Sequence, residues 1–158
     1  MRARDAKLAI LRALPTLRGA SDGELTHIAR LTELVELPAG KVLVKEGETA
    51  KEGFWILDGR LSVTVGGRVV AVLGTGDFAG ELALLDPAPR SATLTAAVPT
   101  RALVFDGPRF RALCELPIVG SALTRQLARR LRGAQAVANA ETRWSARRCA
   151  HVRFAKSA

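Results

Sequence analysis

The apolar positions change their period twice along the chain. Near the N-terminus Leu8, Leu11, Ala13 and Leu14 recur at helical spacing, and Pro15 predicts the end of that helix because proline disfavours helix in its predecessor. A second helix is predicted to start at Ser21. Ser21 and Glu24 have capping-box spacing, and Leu25, Ile28, Ala29 and Thr32 form its inner face.

From about Leu34 to Phe105 the period becomes that of strands. Val42 and Val44, Leu61 with Val63 and Val65, Val69 with Ala71 and Leu73, Leu94 with Ala96, and Leu103 with Phe105 alternate with other side chains, as half-buried strands require. Turn signals separate them at Pro38-Ala39-Gly40, Glu46-Gly47, Asp58-Gly59, Gly66-Gly67 and Gly74-Thr75-Gly76; Asp-Gly and Gly-Gly supply the positive φ of tight hairpins. Many short strands joined by glycine turns predict a mainly β fold, an antiparallel β-barrel or jelly roll with flanking helices.

Beyond Phe105 the helical period returns. Pro108 suits a first-turn position, and Phe110, Leu113 and Cys114 share a face up to Pro117. A longer helix is predicted over about 118–138, with Val119, Ala122, Leu123, Gln126, Leu127, Arg130, Leu131 and Ala134 on one stripe and Arg125, Arg129 and Arg132 largely off it. Leu123, Leu127 and Leu131 make that stripe a candidate homodimer interface. Residues 139–158 show no clear period and read as a basic tail. The expected organisation is therefore N-terminal helices over 1–33, a barrel over 34–106, C-terminal helices over 107–138 and the tail.

A chain of 158 residues, 48% hydrophobic and 25% charged, is long enough for one globular core and too short for two full-sized domains. Its N-terminus lacks the apolar stretch of a secretory signal, and no run approaches the ~20 apolar residues of a transmembrane segment, so the expectation is a soluble cytoplasmic protein. Cys114 and Cys149 form no CxxC pair and His27 and His151 are the only histidines, which argues against zinc or a disulfide framework. Charge is uneven. Residues 1–106 hold 13 Lys and Arg against 13 Asp and Glu, whereas residues 107–158 hold 11 against 2, which accounts for the whole net charge of +9. Such a block can steer toward nucleic acid or an anionic membrane, or it can simply be a solvated arginine-rich helix face.

The densest chemistry lies in 78–93, FAGELALLDPAPRSAT. Gly-Glu-Leu-Ala at Gly80 to Ala83, a nine-residue step from Glu81 to Arg90, and Ser91-Ala92 make this segment similar to the phosphate-binding cassette of the cyclic-nucleotide-binding domain family. The likeness covers roughly Leu14 to Ala134, including the glycines at 40, 47, 59, 76 and 80. It implies a sensor that binds a cyclic nucleoside monophosphate through Phe78, Gly80, Glu81, Leu82, Ala83, Arg90, Ser91 and Ala92. It also implies output through the C-terminal helices, with Leu84 and Phe110 or Leu113 as a hydrophobic relay, and an effector protein as a further partner. Family sites that prefer cGMP commonly carry threonine after the cassette arginine; Ser91 there leans toward cAMP as ligand. A lid over the base is expected from the long helix or beyond, with Gln126, Arg129, Arg130 and Trp144 as candidates.

The residue types suit that chemistry. A cyclic phosphodiester carries one negative charge, and Arg90 is the one cation in the cassette, with a fork that can meet two phosphate oxygens. Gly80 lets the backbone come close, and the helical turn starting at Glu81 offers N–H groups to an anion. Ser91 and Ala92 add donors. Glu81 cannot hold phosphate; the resemblance assigns it to the ribose 2′-OH. Pro87 and Pro89 stiffen the connection to Arg90. Taken singly, Glu81 and Arg90 read equally well as a surface salt bridge, Gly80 as a turn glycine and Ser91 as the start of a strand.

Other chemistry is thinly represented. Gly74-Thr75-Gly76-Asp77-Phe78-Ala79 fits GxGxx[GA] and follows an apolar strand, but no long helix follows it and no acid stands about twenty residues on. P-loop, GxSxG and HExxH sequences are absent, there is no tyrosine, and two histidines give little acid–base equipment, so the expectation is a regulator rather than an enzyme, with no cofactor and no metal. In the family's transcription factors a helix-turn-helix follows the long helix; about twenty residues follow Ala138 here, which argues against nucleic acid as a partner. The contrasting reading is a nucleic-acid or membrane interaction protein working through its basic third, with the barrel as scaffold.

Overall fold

A computed structural model describes residues 3–154, with side chains described to residue 143. Helix α1 (Ala3–Ala13) stops before Pro15, and a 3-10 turn (Pro15–Leu17) leads to α2 (Asp22–Leu31). The capping box forms: Glu24 N donates to Ser21 Oγ at 3.2 Å and Ser21 N to Glu24 Oε2 at 2.7 Å. Lys7 on α1 donates to the carbonyls of Ala29 and Thr32, satisfying acceptors that the end of α2 leaves open.

Eight strands follow: β1 (Glu33–Leu37), β2 (Val42–Val44), β3 (Glu52–Asp58), β4 (Leu61–Val65), β5 (Arg68–Leu73), β6 (Phe78–Ala79), β7 (Thr93–Ala96) and β8 (Thr100–Asp106). They form two antiparallel sheets of four strands, ordered β1-β8-β3-β6 and β2-β7-β4-β5. Phe54, Ile56 and Ala79 from the first sheet meet Val44, Leu61, Leu73, Leu94 and Ala96 from the second in one buried cluster. The expected jelly roll is thus a two-sheet sandwich with helices α3 (Leu82–Leu85), α4 (Gly107–Glu115) and α5 (Pro117–Phe154) added to α1 and α2.

Three local expectations differ from the structure. Asp58-Gly59 closes no hairpin, because β3 and β4 lie in different sheets; its positive φ instead turns the chain from one sheet to the other, where a Cβ on Gly59 would come within 2.4 Å of Thr100 Oγ1. Strand β5 is not half-buried: Val69, Val70 and Val72 are 64%, 60% and 57% exposed, since β5 is an edge strand paired only with β4. Helix α5 continues beyond Ala138 to Phe154, through a stretch with no proline and no glycine after Gly133, rich in alanine and arginine, which are strong helix formers.

The chain divides into two compact units, Met1–Leu123 and Thr124–Ala158. The first contains both sheets, α1 to α4 and the start of α5, where Val119, Ala122 and Leu123 are buried. The second is the rest of α5. In it Gln126 is 4% exposed, whereas Leu131 and Val137 are 62% and 60% exposed, so the leucine stripe is buried at Leu123 and open to solvent at Leu131.

Candidate functional site

The cassette departs from β6, the edge strand of the first sheet. Strand β6 pairs with β3 through Phe54↔Ala79 and Trp55↔Phe78, and β3 is flanked on its other side by β8. Phe78 is fully buried and stacked on Trp55, with ring centroids 4.6 Å apart, and lies 6.4 Å from both Phe105 and Phe110. The Trp55 indole N–H donates to Gly76 O at 3.0 Å. Phe78 is therefore an anchor in the core, and its ring is not part of the cassette's accessible surface.

At Gly80 the chain turns with φ +72, a conformation that side chains with a Cβ resist. Space is tight as well, because Arg90 would have to shift. A Cβ at Gly80 would lie 2.7 Å from Arg90 Nη1 and 3.4 Å from Glu52 O. The turn delivers Glu81, buried at 1% exposure, to the head of α3, where Leu84 N and Leu85 N donate to Glu81 O at 3.0 and 2.9 Å. Leu82 on that single turn is 51% exposed and Ala83 is half-buried.

Arg90 is brought back to the same place by backbone pairing with the β2–β3 loop. Arg90 N donates to Glu48 O and Gly47 N to Arg90 O, each at 2.8 Å, and Thr49 bridges to Pro89. The residue is 6% exposed. Its Nη1 donates to Gly80 O at 3.0 Å and its Nη2 to Glu52 O at 2.5 Å. Both acceptors are neutral carbonyls. Among the described residues, ion pairs join Arg12 to Asp22, Arg101 to Asp58, and Arg109 to Glu33 and Asp106, and Arg90 is in none of these. Burial lowers the Arg90 pKa from its ordinary value, with Glu52 and Glu48 acting in the opposite sense; an arginine keeps its charge nonetheless. The surface salt bridge that Glu81 and Arg90 suggest in isolation is not what forms, since both residues are buried.

Ser91 is exposed and Ala92 half-buried at the bend leading into β7. Gly80, Glu81 and Arg90 are thus assembled at one point, Ser91 and Ala92 adjoin it, and Phe78 supports it from beneath. What the sequence did not show is the part played by Glu52 O and by the backbone of Gly47 and Glu48. Main-chain acceptors leave no mark in residue type, although the glycine at 47 marks the turn that supplies them.

Leu84 connects α3 to the sheet. Its Cδ1 lies 3.1 Å from the point a Gly53 Cβ would occupy, and Phe105 Cε2 lies 2.5 Å from that point. Phe105 in turn stacks on Phe110 of α4 at 5.0 Å. Glycine at 53 leaves open the space over β3 that Leu84 of the cassette and Phe105 of β8 both approach.

Gln126, Arg129 and Arg130 belong to the second unit, where Gln126 is buried, Arg130 half-buried and Arg129 exposed. The side chain of Trp144 lies outside the described residues, as does that of Cys149. Among the described residues no group of three His, Cys, Asp or Glu side chains is arranged for a metal, and no helix is long and apolar enough to cross a membrane. The glycine-rich 74–79 segment is a turn closed by Asp77 N to Gly74 O at 3.0 Å and Gly74 N to Asp77 Oδ2 at 2.9 Å, followed by β6 rather than a helix.

Known proteins resemble this chain in sequence and in fold. A cyclic nucleotide-gated potassium channel of Mesorhizobium japonicum is 33% identical over 129 residues, which span 82% of this chain and 36% of the channel. A CRP-like cAMP-activated global transcriptional regulator of Mycobacterium tuberculosis is 28% identical over 78% of the chain and 58% of the regulator. Among solved structures, a cAMP-binding acyltransferase from Mycobacterium smegmatis superposes with a TM-score of 0.73 at 30% identity, over 82% of this chain and 42% of that one. The chain thus spans between about a third and three fifths of the length of these relatives. The sequence profile of the cyclic nucleotide-binding domain matches residues 34–116, from β1 to the end of α4 and across the whole cassette, and the chain belongs to the cyclic nucleotide-binding domain family.

Proposed function

We propose that this chain is a regulatory sensor that binds cAMP in preference to cGMP and passes the binding event to its C-terminal helices. The observation that carries the reading is Arg90: a buried cation bonded to two neutral carbonyls and to no carboxylate, beside the positive-φ turn at Gly80. Burying a charge without a counter-charge is costly, and a monoanionic phosphate arriving at Arg90 offsets that cost. Neutral lipids, peptides and sugars supply no such charge. Glu81, buried beside it, offers a carboxylate to a ribose 2′-OH, which a cyclic nucleotide has and inorganic phosphate lacks.

The preference for cAMP rests on Ser91 after the arginine. Transmission rests on the close approach of Leu84 and of Phe105 to Gly53 and on the Phe105–Phe110 stack, which link the cassette turn to α4. The exposed Leu131 and Val137 favour a second copy or an effector protein on α5. Gln126, Arg129, Arg130 and Trp144 remain the candidates for contact with the base, and truncation after Ala140 separates Trp144 from the other three.

Calorimetric titration with cAMP, cGMP and AMP tests the reading. The expected result is tightest binding of cAMP, weaker binding of cGMP and the weakest of AMP, whose dianionic acyclic phosphate does not match a site built around one buried cation. Equal affinity for cAMP and AMP would remove the cyclic phosphodiester from the assignment; tighter cGMP binding would reverse the base preference alone.

A further inference from the structure

Helix α5 carries a second feature, of which the nucleotide reading uses Arg129 alone. Of the eleven Lys and Arg beyond residue 106, ten are arginine. At about 100° per residue, Arg125, Arg129, Arg132 and Arg143 fall within a band roughly 60° wide along α5, extending about 27 Å along its axis. All four are exposed. Glu141, the sole carboxylate of α5, stands about 160° around the helix from Arg125 and so cannot neutralise the band. Arg125, Arg132 and Arg143 take part in none of the ion pairs of the described residues.

We infer that this arginine band is a docking surface for the phosphate backbone of nucleic acid, bound without regard to sequence. Charge complementarity selects a polyanion. The length of the band selects a linear one, since four cations strung along a rigid rod match a regular row of phosphates better than a compact acidic patch. Arginine rather than lysine suits phosphate, because the guanidinium fork can meet two oxygens of one group. Ala136 on the band, and Asn139 and Ala140 beside it, are small or polar. A membrane-surface helix needs large apolar side chains facing the lipid, and here Leu131 and Val137 lie on flanks away from the arginines, while Val119, Ala122 and Leu123 are already buried in the protein. A helix-turn-helix reads base edges; docking on the phosphate backbone needs none.

The test uses the full chain and a fluorescein-labelled 24-base-pair duplex of random sequence, followed by anisotropy. If Arg125, Arg132 and Arg143 each meet a phosphate, affinity falls about 40-fold between 50 and 200 mM salt. The triple variant Arg125→Gln, Arg132→Gln, Arg143→Gln is expected to weaken binding at least tenfold at 50 mM salt and to flatten the log–log salt slope by about 2.7. A control triple with the same charge loss elsewhere on the surface, Arg4→Gln, Arg18→Gln, Arg68→Gln, is expected to stay within threefold of the parent. Helical circular dichroism verifies that α5 persists in both variants. No duplex binding at 50 mM salt, equal losses in the two triples, or binding to phosphatidylserine vesicles without binding to the duplex would each overturn the inference. Since no cyclic nucleotide is present in the assay, its outcome is independent of the Arg90 site.

Discussion

Arg90 Nη1 donates to the carbonyl oxygen of Gly80 at 3.0 Å, so the eleven-residue segment from Gly80 to Arg90 is closed on itself by one side chain. The closure explains why Gly80 has to be glycine twice over, through its φ of +72 and through the 2.7 Å approach of Arg90 Nη1 to the missing Cβ. Gly80→Ala is therefore expected to cost about 1–3 kcal/mol of stability. It should also weaken cAMP binding, because either Arg90 or the turn has to move. Urea unfolding with a midpoint equal to that of the parent would show that the turn is not held in this way.

Glu81 permits a sharper test of ligand orientation. If its carboxylate accepts the ribose 2′-OH, the parent should prefer cAMP to 2′-deoxy-cAMP by about tenfold or more, the range of a hydrogen bond to a charged group. Glu81→Gln should bring that ratio below threefold. Competition binding reads the ratio directly, and an undiminished preference in the variant would place the ribose elsewhere.

Gly53 carries the contact between cassette and sheet. A methyl group there would enter the space of Phe105 Cε2, 2.5 Å away, and of Leu84 Cδ1, 3.1 Å away. Gly53→Ala is expected to destabilise the fold by about 1–3 kcal/mol, the usual penalty for overpacking. Thermal unfolding at the parent's temperature would mean that β8 and α3 yield more easily than their packing indicates.

How far the sequence reveals this molecule depends on which physical signal each part leaves. The capping box at Ser21 and Glu24 is legible because two side chains and their spacing make up the whole motif. Strand β3 is not legible as an alternation: Gly53 to Leu57 are all buried, so the central strand reads as a continuous apolar run around Trp55. Strand β5 misleads in the opposite sense, since Val69, Ala71 and Leu73 alternate correctly while the strand sits at an open edge. In the cassette, Gly80, Glu81 and Arg90 announce themselves by type and spacing. The acceptors that hold Arg90 are main-chain carbonyls of Gly80 and Glu52, and a carbonyl has no letter in the sequence.

Arg101 on β8 pairs through Nε and Nη2 with Asp58 Oδ2, and this bonding lowers the Asp58 pKa from its ordinary value while desolvation opposes it. A carboxylate whose pKa is depressed in the folded state contributes stability above its unfolded pKa and loses it as pH falls through the folded value. Both side chains are close to half exposed, so the effect is a fraction of a kcal/mol. Asp58→Asn should be less stable than the parent at pH 7, with the gap closing as pH falls below the usual aspartate range. A gap independent of pH, in urea melts between pH 7 and 2.5, would assign the cost to packing rather than charge.

Arg90 as the counter-charge of a bound cyclic phosphodiester is the central proposal. Isothermal titration of cAMP into the parent and into Arg90→Ala, each first verified as folded by its thermal transition, measures this directly. The predicted result is saturable one-site binding to the parent and a loss of at least a hundredfold in the variant, which corresponds to about 2.7 kcal/mol. A folded Arg90→Ala protein that binds cAMP within twofold of the parent would contradict the account.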